Sequence, residues 1–161
     1  MLRLSTMNPR ALLYSEHNRS ASIALLIIRV TVGLFMAAHG FAKLSGGVGE
    51  FAGALAGMGF PLPGFFAWCA VLAEFVGGLL MTLGLLARPA ALAVGFTMVV
   101  AWVAVHLGDL PKIGGQGGSA FEYPFLLSIS ALGIAIAGPG RYSLDALLLG
   151  RSPARAGSVA S

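Results

Sequence analysis

The chain has 161 residues, of which 57% are hydrophobic and only 10% charged, against about 25% charged in an ordinary soluble domain. That composition excludes a soluble fold and points to a single integral membrane domain with lipid as its main partner. The formal net charge is +4, but the basic residues are scattered without a polybasic run, so no nucleic-acid partner is implied.

Residues 1–20 carry Arg3, Arg10 and Arg19 and no long apolar run. They are too polar to span a bilayer and too long for the n-region of a cleaved signal, so they read as a cytoplasmic arm. Residues 21–149 read as an all-α, four-span membrane domain, a four-helix bundle with spans at about 21–41, 65–87, 90–107 and 121–137. The first span contains Arg29 and, near its far end, His39, with Lys43 just beyond. In the glycine-rich loop 44–64, Phe51, Leu55 and Met58 lie at i, i+4 and i+7, the pattern of a short helix lying at the membrane interface. Pro61 and Pro63 close it.

The second span, 65–87, is apolar apart from Thr82 and Glu74. A carboxylate near mid-span costs ~3 kcal/mol or more, so Glu74 must be neutral, paired or facing a wet cavity. Arg88 and Pro89 form a tight turn into the third span, which carries Trp102 and His106 towards its end. The polar loop 108–120 holds Asp109 and Lys112, and the fourth span opens with Glu122, Tyr123 and Pro124. Gly138-Pro139-Gly140 stops that helix. Ser143 then reads as the N-cap of a short interfacial helix over 144–149. Residues 150–161 read as a disordered tail.

Four spans put both termini on one side. Seven Lys/Arg (Arg3, Arg10, Arg19, Arg88, Arg141, Arg151, Arg155) fall on that side and two (Lys43, Lys112) on the other, which places both termini in the cytoplasm. Ala87/Ala91/Gly95, Ala73/Gly77 and Gly133/Ala137 are small-xxx-small series that let helices approach closely. The single cysteine, Cys69, excludes an internal disulfide, a Cys-x-x-Cys redox pair and a Cys-x-x-Cys-His haem attachment. It reads as a small apolar residue facing lipid or core.

Depth along the helices groups the ionisable residues. Arg29 lies ~12 Å from the cytoplasmic start of its span and Glu74 ~20 Å from the cytoplasmic end of its own, a gap that an extended arginine can cross. A direct or water-bridged Arg29–Glu74 pair is therefore expected. His39 and His106 both lie ~26 Å from the cytoplasmic side, Glu122 opens the fourth span at that level, and Lys43 sits one turn past His39. His39, Lys43, His106 and Glu122 thus form a candidate polar site in the outer half. A histidine or Glu122 there could serve as base for a quinone or small substrate. Each histidine alone is more simply an interfacial group bonded to water or headgroups. The set together with Glu74 favours function, because intramembrane ionisable groups are costly. Nothing beyond shared depth supports a metal or haem, and no metal is assigned; a quinone is the one cofactor left open.

The segments RVTVGLFMAAHGFAKL, MGFPLP, LAEFVGGLLMTLGLLARPAAL and AGPGRYSLDALL, with Glu122 between the last two, occur in this order along the chain. On them, over residues 26–148, the chain resembles the DoxX family of small bacterial membrane proteins. The resemblance implies a four-helix, multi-pass protein of the bacterial inner membrane, with a link to redox and sulfur metabolism. The family name derives from a subunit of a thiosulfate:quinone oxidoreductase. Some relatives are thought to join membrane complexes with sulfurtransferases or superoxide dismutase. Arg29, His39, Lys43, Glu74, Glu122, Arg141 and Asp145 match family positions, and Tyr142 and Ser143 complete a cytoplasmic motif with the last two.

Three functions compete. One is a membrane redox subunit that binds a quinone near His39, His106 and Glu122. It would couple to a partner that supplies electrons, since the chain shows no flavin, haem or iron–sulfur motif. Redox or sulfurtransferase proteins are the partner classes the resemblance implies. The second is a non-catalytic anchor docking partners through 141–149. The third is a small transporter or proton relay through Arg29 and Glu74. The redox-complex component ranks first, catalytic or scaffolding, and a homo-oligomer is left open.

Overall fold

The computed structural model describes residues 19–112, 114–115 and 119–149. Residues 1–18, nearly all of the segment read as an arm, and the tail 150–161 lie outside the described residues. The described elements are α1 (Arg19–Gly46), α2 (Val48–Gly57), α3 (Pro63–Leu83), α4 (Ala87–Ala104), a 3-10 helix (Leu107–Lys112), α5 (Ser119–Ala137) and α6 (Leu144–Leu149). Among the described residues there is no strand, and α1, α3, α4 and α5 are long and apolar enough to cross a membrane. The protein is an all-α four-helix membrane bundle.

The long helices pack chiefly as two pairs, α1 with α3 and α4 with α5, joined where α3 meets α4. Met36, Met81, Val94, Ala131 and Ile134 fill the centre. Ile27, Phe35, Phe96, Leu126 and Ile136 point outward, each more than half exposed. An apolar exterior on a helix bundle is the arrangement that lipid, not water, accommodates.

Glycine brings α1 and α3 into backbone contact. A Cβ on Gly78 would stand 2.6 Å from the Ala37 nitrogen, and one on Gly33 would stand 2.7 Å from the Gly78 carbonyl oxygen. These contacts set the register: Gly33 lies beside Gly78 and Thr82, and Gly40 beside Phe75. Of the small-residue series read from the sequence, Ala87/Ala91/Gly95 does pack, with Gly95 facing Ala131 and Ser128 of α5. Gly133 is exposed and meets nothing, so the Gly133/Ala137 pair is not a close contact.

Several helix boundaries differ from the sequence reading; α4, for one, ends at Ala104 rather than at 107. α3 stops at Leu83 rather than at 87, because Gly84 takes a left-handed conformation (φ 69°) that ends the helix. The turn 84–86 follows, and α4 begins at Ala87 with Arg88 and Pro89 inside its first turn, where proline is tolerated. α1 does not end at 41 but continues to Gly46. That extension keeps Lys43 on the helix, on the same side as His39.

One end of the bundle is fastened by the segment after α5. Arg29 of α1 donates to the Met81 carbonyl at 3.1 Å and to the Thr82 carbonyl at 2.5 Å, both in the last turn of α3, and also to the Tyr142 carbonyl. Asp145 accepts from the Leu86 N–H at 2.9 Å and the Ala87 N–H at 3.0 Å, and its own N–H donates to the Gly84 carbonyl at 2.9 Å. Leu86, itself left-handed (φ 47°), has no side-chain oxygen to cap α4. Asp145 supplies the cap from another element. Ser143 caps α6, its Oγ accepting the Ala146 N–H at 3.1 Å. The Arg141 N–H donates to Ser22 Oγ at 3.3 Å.

The expected Arg29–Glu74 pair is therefore not formed. Arg29 is consumed by backbone carbonyls at the end of α3. Seven residues, or ~10 Å of helix, separate Met81 from Glu74. Distances from the helix ends do not fix how α1 registers against α3. With Gly33 beside Gly78 and Gly40 beside Phe75, it is Lys43 and not Arg29 that reaches Glu74.

Candidate functional site

Glu74 lies mid-helix on α3, where the backbone carbonyls and amides are already paired within the helix, so its charge needs a side-chain partner. Lys43 of α1 supplies it. Lys43 Nζ donates to Glu74 Oε1 at 2.5 Å and to Oε2 at 2.7 Å. Glu74 is 1% exposed and Lys43 28%, so the pair has one sealed member and one that reaches an open space. The ammonium also stands 4.5 Å from the centre of the Phe51 ring of α2, a cation–π contact that ties α2 to the pair.

One turn before Lys43, His39 Nε2 lies 2.8 Å from the Tyr123 hydroxyl of α5, and the two rings are 5.4 Å apart. On the far side, just past α4, His106 Nδ1 lies 3.3 Å from Asp109 Oδ2, and Lys112 Nζ donates to Asp109 Oδ1 at 2.6 Å. The Lys112 ammonium first, and His106 second, hold the Asp109 carboxyl below its usual range. If His106 donates through Nδ1, its Nε2 is the ring nitrogen available to a ligand.

These groups meet at a cavity of about 560 Å³ lined by Met36, His39, Lys43, Glu74, Met98, Ala101, His106, Ala120, Tyr123 and Pro124. His39, Lys43 and His106 of the sequence-read set line it. Glu122 does not; its carboxylate accepts the Gly114 N–H at 2.7 Å and steadies the loop before α5. Glu74 and Tyr123 take its place. Tyr123, the neighbour of Glu122, is the residue that the sequence-read set lacks. Its sequence signal was a phenol in the first turn of a span, at the depth of both histidines. Arg141, Tyr142, Ser143 and Asp145 lie at the other end of the bundle, apart from the cavity.

A second cavity of about 490 Å³ shares Lys43, Glu74, Ala101 and His106 with the first. The rest of its lining is apolar or small, including Phe51, Met58, Phe66, Cys69, Ala73, Ala93, Phe96 and Thr97. Cys69 is exposed and lines this groove. Among the described residues no three His, Cys, Asp or Glu side chains gather as a metal site. The combined space offers an ammonium, two imidazoles and a phenol as hydrogen-bond donors at one end and hydrocarbon at the other.

The DoxX family model matches residues 24–107, from the first turns of α1 to the start of the 3-10 helix. The chain is 30% identical over 130 residues to the Bacillus subtilis protein named "Putative oxidoreductase CatD", covering 80% of this chain and 89% of that one. It is 32% identical to the Escherichia coli inner membrane proteins YphA and YqjF, over 82% and 78% of this chain and 95% and 92% of theirs. No solved structure matches significantly.

Proposed function

The chain belongs to the DoxX family, and on that premise we propose that it is the quinone-binding subunit of a membrane redox complex. It is a multi-pass protein of the inner membrane. The observation that carries the proposal is the pair of adjoining cavities that share Lys43, Glu74, Ala101 and His106 as lining, the first also bordered by His39 and Tyr123 and the second almost wholly apolar beyond them. A quinone is a ring with two acceptor carbonyls on an apolar body. Lys43, His39, His106 and Tyr123 are the donors that would hold its carbonyls, and the residues present fit that headgroup.

Reduction of a quinone needs electrons and protons. The two electrons come from a partner redox enzyme that oxidises its own substrate. A sulfurtransferase of the kind the family resemblance implies could deliver sulfur to that partner but supplies no electrons itself. The protons reach the carbonyl oxygens from the groups around it. The nearest such groups are Lys43, whose Nζ donates to Glu74, and His39, whose Nε2 lies 2.8 Å from the Tyr123 hydroxyl. A related protein named an oxidoreductase is in keeping with this reading. In the proposed orientation, set by the Lys/Arg count, the fastened end faces the cytoplasm and the cavity end faces outward.

The test is purification from native membranes, followed by extraction and identification of bound quinone. We expect quinone to accompany the wild-type protein and to be depleted in His39→Ala and His106→Ala. Full activity of the partner complex with both histidines removed, and no quinone bound, would leave the chain as an anchor. The anchor reading rests on α6, where Leu147 and Leu148 are exposed. Its one polar residue, Asp145, is turned inward to cap α4, while Arg141 and Tyr142 just before it are exposed.

A further inference from the structure

The apolar cavity is a trench with small residues along its floor. On α3, Cys69 and Ala73 are one turn apart; on α4, Ala93, Thr97 and Ala101 repeat the same spacing, and all five line the space. The side chains on this face are too short to fill the gap between the two helices. Larger rings bound it: Phe66 on α3, Phe96 on α4, and Phe51 of α2 across the top. The trench opens to the apolar surface of the bundle, where Phe96 is 71% exposed. Its inner side is lined by Lys43, Glu74 and His106, which line the first cavity as well.

An apolar trench that ends on a buried ion pair suits an elongated molecule with a polar head and a hydrocarbon tail. Water gains nothing along the trench, and a compact polar ligand leaves it empty. Resting on the reading above, we propose that the ligand is a long-chain quinone rather than a tail-less one. Its chain lies between α3 and α4 under α2, and it reaches the site sideways from the bilayer. The contact of Lys43 with Phe51 joins roof and head site, so α2 is the element that must yield when the ring passes.

Two substitutions probe the trench without touching the head site. Ala93 is exposed to the lipid side and Thr97 is half-buried there, so phenylalanine at either position fills the trench without crowding the core. Binding of decylubiquinone and of duroquinone, a tail-less ring with every position blocked against thiol addition, is measured on the purified full chain by titration calorimetry. We expect Ala93→Phe and Thr97→Phe to weaken decylubiquinone about tenfold or more and to leave duroquinone unchanged. Lys43→Met should weaken both. Unchanged decylubiquinone affinity in both trench variants overturns the inference and leaves the headgroup reading standing. A co-purifying phospholipid displaced by the phenylalanines, again with decylubiquinone unaffected, assigns the trench to a lipid acyl chain and also overturns it. Failure of the wild type to bind either quinone removes the headgroup reading, and this inference with it.

Discussion

Arg29 and Glu74 are buried to nearly the same degree, 2% and 1% exposed, on neighbouring helices of one bundle, yet their surroundings have little in common. Arg29 sits at the end of α3 and answers its last carbonyls, while Asp145 answers the first amides of α4. A cation at a helix C-terminus and an anion at an N-terminus each meet the favourable end of the helix dipole. Charge placed there saturates backbone groups that would otherwise be unpaired, and it leaves no role for a ligand. Glu74 lies in mid-helix, where the backbone offers nothing. Its partner is a lysine that is 28% exposed and borders two cavities. The difference teaches that burial of a charge in a membrane helix does not by itself mark function. What matters is whether its partner is fixed backbone or a side chain that a ligand can reach.

The sharpest way to break this comparison is at Arg29. Arg29→Met removes the donor to three carbonyls and leaves Asp145 without the nearby cation. We expect a loss of ~3–5 kcal/mol, the range for breaking a buried charged network, read as lowered thermal stability in detergent. Arg29→Lys should recover only part, since an ammonium lacks the fork that reaches carbonyls of two elements.

At the other end, Glu74→Gln should cost less, ~1–3 kcal/mol, because Lys43 can turn towards the open cavity. Lys43→Met with Glu74→Gln should restore part of the loss, whereas Arg29→Met with Glu74→Gln should be additive within ~0.5 kcal/mol. Coupling of Glu74 to Arg29 instead of Lys43 would contradict the pairing described here.

The two ends also differ in how far the sequence disclosed them. Span number and helical class follow from long apolar runs, and the candidate depth of His39, Lys43 and His106 follows from helix rise. The partner of each charge did not follow, because it depends on how α1 registers against α3. That register is set by Gly33, Gly40 and Gly78 in a chain where glycine is too common to single them out. Asp145 capping α4 from 58 residues away leaves no local mark at Leu86 or Ala87. Lys43 is legible as a site residue from its place one turn past His39, but its pairing with Glu74 is not.

Gly78→Ala tests that register directly. Its Cβ would stand 2.6 Å from the Ala37 nitrogen, so α1 and α3 must separate. Overpacking of this kind costs ~1–3 kcal/mol, and a thermal melt within error of wild type would show the contact to be looser.

The smallest expected effect concerns the turn beside the cavity. Asp109 is held below its usual range by Lys112 and His106, so its folded pKa is depressed. Its contribution is present above the unfolded value of ~3.9 and is lost as pH falls through the folded value. Carbon NMR of the Asp109 carboxyl should give a midpoint below ~3.9, and Lys112→Met should raise it. An unmoved midpoint would leave the Lys112 contact without electrostatic weight.

The separation of a fastened end from a ligand end is tested most directly by decylubiquinone binding to Asp145→Asn and Lys43→Met, side by side, at a temperature where both are folded. We expect Asp145→Asn to melt earlier but bind the quinone as the wild type does, and Lys43→Met to bind it about tenfold more weakly. Equal loss of binding in both, or wild-type binding in Lys43→Met, would contradict the division of the bundle into those two ends.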